Sequence, residues 1–186
     1  MILKIIAYGD PLLRKLSVDI DATYPHLEEL ITNMHETMKG AEGVGLAAPQ
    51  VGLNIKLIVV NSTEVKNNKT PIRQVFINPE ITEATGENVI FEEGCLSVPK
   101  IHEDILRKEK IIVRYFDENF NEHEDSFDGS NARIIQHEYD HLFGKLFIDK
   151  LSPLKKALLK KKLSDIIKGN IDVSYPIKFY GKIRKK

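Results

Sequence analysis

The sequence predicts a single domain, residues 1–186, that mixes helices with β-strands, on three observations. Apolar residues recur at three- and four-residue spacing near the N-terminus, around residue 135 and again after residue 153. Short runs rich in β-branched residues fill the middle of the chain. No internal repeat or shift in composition marks a second domain. At 186 residues, 42% hydrophobic and 29% charged, the chain suits one globular core.

In chain order, residues 9–16 open on a turn signal and end apolar, so they tuck into the core. A helix is expected over about 24–41, with Pro25 in its first turn and Leu27, Leu30, Ile31, Met34 and Met38 on one face. His35 within it reads as a surface or boundary residue. Residues 55–61 read as a buried strand and 64–70 as an exposed loop. A second strand, 74–78, is expected to stop at Pro79, and 80–85 with 88–92 to form a hairpin about Gly86-Glu87. Residues 111–117 read as a strand turning into a polar partner at 123–127, with His123 solvated. Gly129-Ser130-Asn131 offers a polar cap to a helix whose Ala132, Ile135, Tyr139 and Leu142 face the core, and Gly144 ends it. Residues 146–148 read as a short strand. Ser152-Pro153 starts a final helix to about residue 168, with Leu154, Leu158, Leu159 and Leu163 as its apolar stripe and Gly169-Asn170 as its stop.

Lysine plus arginine and aspartate plus glutamate number 27 each, so the overall charge gives no reason to expect specific DNA binding. The basic residues from Lys155 onward read first as a solvated helix face and second as a contact for a large polyanion. Cys95 is the single cysteine, which excludes an intramolecular disulfide and suits a reducing compartment. With no signal-peptide pattern and no apolar run near the roughly 18 residues of a membrane span, the expected location is the cytoplasm, away from membranes.

Chemistry concentrates in Gln136-His137-Glu138-Tyr139-Asp140-His141. Side chains four apart on a helix share a face, so His137 and His141 can reach one metal ion, and Glu138 beside them can take a proton from water. The bland alternative is a surface helix carrying two histidines. A catalytic site of this kind keeps three protein ligands and an open position. No histidine follows His141, and Asp149, Asp165 and Asp172 complete no metalloprotease pattern. Cys95 is the attractive third ligand, because thiolate binds such metals strongly. Alone it would read as a small buried residue, but Gly94 before it at a strand end also suits presentation into a cleft. Residues 43–52, dense in glycine and alanine, either make a tight connection or lay backbone beside an extended ligand and offer the Gln50 amide. Arg133, one turn before His137, points toward the ligand side.

Taken together, Gly43-Val44-Gly45-Leu46-Ala47-Ala48-Pro49-Gln50, Glu93-Gly94-Cys95-Leu96-Ser97 and Gln136-His137-Glu138-Tyr139-Asp140-His141 resemble the three signature motifs of the peptide deformylases, in the family's order. The similarity extends to residues 9–14 and 144–149 and covers most of the chain to about residue 152. It implies an α+β fold, with antiparallel β-sheets surrounding a central metal-binding helix and an additional C-terminal helix. It implies removal of the formyl group from N-formylmethionine on newly made chains, in bacteria or organelles derived from them.

The resemblance further implies one divalent ion held by Cys95, His137 and His141, ferrous iron first, with nickel, cobalt or zinc able to replace it. Glu138 would carry the proton, and the Gln50 amide and Leu96 N–H would hold the oxyanion. The substrate would pair with Gly45 and seat its methionine among Val44, Ile134 and the face of His137. Glu93 and Arg107 would form an ion pair positioning the cysteine loop. N-formylmethionyl nascent peptides are the implied partner, with the ribosome near its exit tunnel a second one, met by the basic final helix. The chain departs from the family pattern at His102, where many relatives carry arginine, and from about Tyr175 onward. Arg133 is the candidate to take over part of that arginine's hold on the substrate backbone. Of the rival readings, a Cys95 nucleophile leaves the paired histidines unexplained, and a structural metal ordinarily has four ligands.

Overall fold

The computed structural model describes residues 1–181; the end of the basic tail, residues 182–186, lies outside the described residues. In chain order it forms β1 (Ile5–Ile6), α1 (Leu27–Gly40), β2 (Gly45–Ala47), β3 (Leu57–Asn61), β4 (Arg73–Cys95), β5 (Val98–Phe116), β6 (Glu122–Asp128), α2 (Gly129–Leu142), α3 (Pro153–Lys168) and β7 (Ile177–Lys178). Single 3-10 turns occupy Pro11–Arg14, Ala48–Val51 and Phe147–Lys150. Strands β2-β3-β4-β5-β6 make one antiparallel sheet in that order, and β1 pairs in parallel with β7, which brings residues 5–6 beside residues 177–178.

β4 and β5 correct the sequence reading most. The strand and the hairpin expected between residues 74 and 92 are a single strand bent by register shifts. Pro79, which has no N–H to give a ladder, falls in the shift between Ile77 and Glu80 beside Asn78 at φ 48°, and Gly86, at φ 75°, in the shift between Thr85 and Asn88. The chain therefore twists where a reversal was expected. The amide of Asn78 pins the bend by exchanging two hydrogen bonds with the backbone of Ile20, at 3.0 and 2.7 Å. β5 also starts thirteen residues before the expected strand, because charged residues over its outer face hide the buried Val98, Ile101 and Ile105.

Smaller corrections have local causes. α1 begins at Leu27, since His26 takes φ 56° and leaves Pro25 in the preceding turn. α2 receives no side-chain cap from its N-cap Asp128. Asn131 is instead inside the helix, joining Ser62 Oγ at 2.7 Å and donating to the Thr70 carbonyl at 2.6 Å. Residues 146–148 are no strand but lead into a 3-10 turn, where Asp149 accepts from the Leu146 N–H at 2.8 Å. His123 is paired with Asp117 at 3.0 Å and stacked on Tyr115. α3 starts and stops as expected, with Ser152 Oγ accepting from the Lys155 N–H and Gly169 at φ 70°. Its inward face, however, is Leu159 and Ile166, while Leu154 and Leu158 are 71% and 74% exposed.

Helix α2 is the central one. Its Ala132, Ile135 and Leu142 are fully buried against Ile58, Val60, Phe76 and Tyr115 of the sheet. α1 closes a second core through Met34 and Met38 on Leu57, Val59 and Ile77. A third core joins Val98, Ile101 and Ile105 to Phe147, Leu159 and Ile166. Each large side chain so buried contributes about 1.5–3 kcal/mol, and these three cores fix α2 against the end of β4, where the chemistry lies. Among the described residues no helix is long and apolar enough to cross a membrane.

Candidate active site

Burying one face of α2 in the sheet turns His137 and His141 toward the hairpin end, where Cys95 is the last residue of β4. One ligand atom from each of the three lies within 4.8 Å of the others, and Cys95 Sγ is 3.3 Å from His141 Nε2. His137 Nδ1 donates to Glu93 Oε2 at 2.9 Å, so its Nε2 is the nitrogen left for a ligand.

The Glu93 carboxylate is a hub. It also accepts from Arg107 Nε at 2.6 Å, Arg107 Nη2 at 2.9 Å and Arg133 Nη1 at 2.8 Å. Burial would raise its pKa, but His137 and Arg107 overcome that and hold it at about 2. Arg107 continues to Asp140 Oδ2 at 2.8 Å, tying β4, β5 and α2 into one network. The expected Glu93–Arg107 pair is thus present, and buried.

The donor set suits a cation. Burial works against a charge on His137, yet Cys95, Glu93 and Glu138 around it push its pKa up to about 10. His141 goes the other way, well below the ordinary value, through burial first and then the charges of His137, Arg107 and Arg14. A divalent ion among the sulfur and two imidazole nitrogens would supply the positive charge that a proton otherwise supplies, and this donor set is one that transition metals prefer. The residues fit such an ion. Only three donors converge among the described residues, the pattern of an open site. The Cys95–His141 contact alone would also suit thiol–imidazole chemistry, but that leaves His137 and Glu138 without a role.

Glu138 is 5% exposed, and its Oε2 has no hydrogen-bond partner. Burial first, then the charge of Glu93, raises its pKa to about 7, against His137 and Arg107. Gly45 lies directly on it: a Cβ there would come within 2.5 Å of Glu138 Oε1. Gln50 is oriented by its own turn, since its Oε1 accepts from the Ala47 N–H at 2.8 Å. That leaves Nε2 facing Cys95 Sγ at 3.5 Å and Ser97 Oγ at 3.4 Å.

These groups line one cleft of about 720 Å³, which includes Val44, Gly45, Gln50, Cys95, Leu96, His137 and Glu138. Arg133 and Ile134 do not line it. Arg133 is spent on Glu93 and on the carbonyls of Ile105 and Val89, at 3.0 and 2.6 Å, and Ile134 packs with the core under the sheet. Arg133 does sit one turn before His137, but the Glu93 carboxylate takes its guanidinium at 2.8 Å. His102 does line the cleft, as do Asp172, Val173, Ser174 and Tyr175. The last four carry no motif or periodicity, and long-range contacts place them there, among them the pairing of β7 with β1 and the bond from the Tyr175 hydroxyl to the Leu96 carbonyl.

A Cys-His-His donor set beside a buried carboxylate with one unpartnered oxygen, in an open cleft, is the equipment of a metallohydrolase. Residues 2–157 match the family model for polypeptide deformylase. Over 189 residues the chain is 51% identical to the peptide deformylase of Christiangramia forsetii, with 96% of each covered. Over 180 residues it is 49% identical to that of Cytophaga hutchinsonii, covering 96% of this chain and 98% of the relative. The crystal structure of a peptide deformylase from Legionella pneumophila superposes with a TM-score of 0.80 at 39% identity, covering 91% of this chain and 98% of that one. The chain belongs to the polypeptide deformylase family, and it is a hydrolase that removes the N-formyl group from nascent peptides.

Proposed function

We propose that Cys95, His137 and His141 hold one divalent ion, ferrous iron first and nickel, cobalt or zinc as replacements, and that Glu138 carries the proton of the reaction. When bound, such an ion supplies positive charge that acidifies water and polarises a carbonyl. Glu138 takes a proton from the attacking water at Oε2 and returns it to the departing amine, giving formate and a free N-terminus. The observation that carries this reading is the unpartnered Oε2 beside the donor cluster, on a carboxyl whose pKa is raised to about 7.

The Gln50 Nε2 amide and the Leu96 N–H hold the carbonyl oxygen as charge develops on it. An extended peptide enters along β2. That strand is the edge of the sheet, bonded to β3 on one side only, so its other side is open to a further strand. Gly45 brings that edge against Glu138, and Val44 offers apolar surface for the methionine side chain. Glu93, held by Arg107, keeps His137 in its ligating orientation.

Exposed Lys156, Lys160, Lys161, Lys162 and Lys168 on α3 support the ribosome, in the bacterial cytoplasm, as the place of encounter with nascent chains. The test of the whole reading is formate release from a formyl-Met peptide by protein loaded without oxygen with ferrous iron or nickel. Release that stops with chelator and returns with nickel is expected. Absence of release from folded, loaded protein would overturn it.

A further inference from the structure

The strands β4 and β5 meet through Leu96 and Ser97 alone, with Cys95 opposite Val98. Two-residue hairpin loops usually take primed turns with positive φ, whose twist matches the strands. Neither Leu96 nor Ser97 has positive φ, and the register shifts between Gly94 and Cys95. In a loop without that turn geometry, partners outside the hairpin can fix the peptide planes. Both its carbonyls have one. Tyr175 donates its hydroxyl to the Leu96 carbonyl at 2.8 Å, and the Tyr8 N–H donates to the Ser97 carbonyl at 2.7 Å.

The two donors come from opposite ends of the chain and are tied to each other. Tyr8 follows β1 and Tyr175 precedes β7, and the Ile5 and Ala7 N–H groups donate to the carbonyls of Pro176 and Lys178, at 2.9 and 3.0 Å. The segment carrying Tyr175 lies beyond the residues matched by the family model, yet it forms a wall of the cleft. We propose that the two chain ends form a clamp on the Leu96–Ser97 turn, in which Tyr175 is a positioning residue for the Leu96 N–H. The proposal rests on the reading of that N–H as an oxyanion donor. The Leu96 carbonyl lies in the Leu96–Ser97 peptide and the N–H in the peptide before it, so the clamp fixes the later plane and limits the N–H direction through the φ and ψ of Leu96 alone.

Tyr175→Phe keeps the ring and deletes only the donated hydrogen bond. In the nickel-loaded variant kcat should fall about tenfold, with KM for a formyl-Met dipeptide changed less than twofold. In the zinc-loaded, isotope-labelled variant, the amide signals of Leu96 and Ser97 should move more than those elsewhere in β4 and β5. An unchanged kcat, a loss expressed through KM, or a lowered melting midpoint with normal kcat in the folded fraction would each overturn the proposal. Chelator-sensitive formate release by the unmodified protein upholds the deformylase reading whichever way Tyr175→Phe falls, so the two failures are distinct.

Discussion

Replacing Glu93 with glutamine tests whether this carboxylate, which touches no substrate in our account, builds the site. The wild-type oxygens accept four contacts, two from Arg107 and one each from Arg133 and His137. A glutamine keeps one acceptor and turns an NH2 group toward N–H donors, so at least one contact becomes repulsive. Breaking a buried ion pair from one side costs about 3–5 kcal/mol. Asp140 still neutralises Arg107 at 2.8 Å, which places the expected loss near the bottom of that range, about 3 kcal/mol. His137 also loses its orienting partner, and losses of this type lower metal affinity about 10- to 100-fold. Urea unfolding of the metal-free protein and a competitive chelator titration of the loaded one measure the two effects. Stability within about 1 kcal/mol of wild type, together with unaltered metal affinity, would refute the hub.

Two further predictions follow from single contacts. Gly45→Ala forces the Glu138 side chain to move, because the new Cβ would lie 2.5 Å from Oε1 and 2.7 Å from Cγ; formate release per bound ion should fall about 100-fold, with stability lowered by about 1–3 kcal/mol. Asp149→Asn loses the partner of Arg14 and weakens the cap on the Leu146 N–H, at a cost of about 1 kcal/mol at neutral pH. Burial opposes ionisation of Asp149, but Arg14 and the Leu146 N–H win and hold its pKa below the ordinary 3.8. Its contribution is therefore complete above that value and fades as pH falls through the depressed one, so unfolding curves of variant and wild type should converge at low pH.

The site was more legible than the sheet. Spacing of the histidines, a single cysteine after a glycine and a carboxylate beside His137 are local signals, and the structure brings Cys95, His137 and His141 together, with Glu138 lining the same cleft as Cys95 and His137. Helix α3 was legible for the same reason, since Ser152, Pro153 and Gly169 are local signals. What local signals cannot give is partner choice. Pro79 and Gly86 look like stops, and only pairing with β5 turns them into bulges of one strand. Arg133 has the right spacing for the cleft, but Glu93, forty residues earlier, takes it. The Asp172–Tyr175 wall stands just before the pairing of Ile177 with Ile5, residues from opposite parts of the sequence.

The central claim, that Glu138 moves the proton at a three-ligand site, is tested most directly by formate release per bound ion in Glu138→Gln beside wild type. Glutamine keeps the shape and removes the proton acceptor, and Glu138 is not among the three donors. Glu138→Gln should bind one ion as tightly as wild type, with turnover lowered about a thousandfold. Turnover within tenfold of wild type, at full metal content, would contradict it.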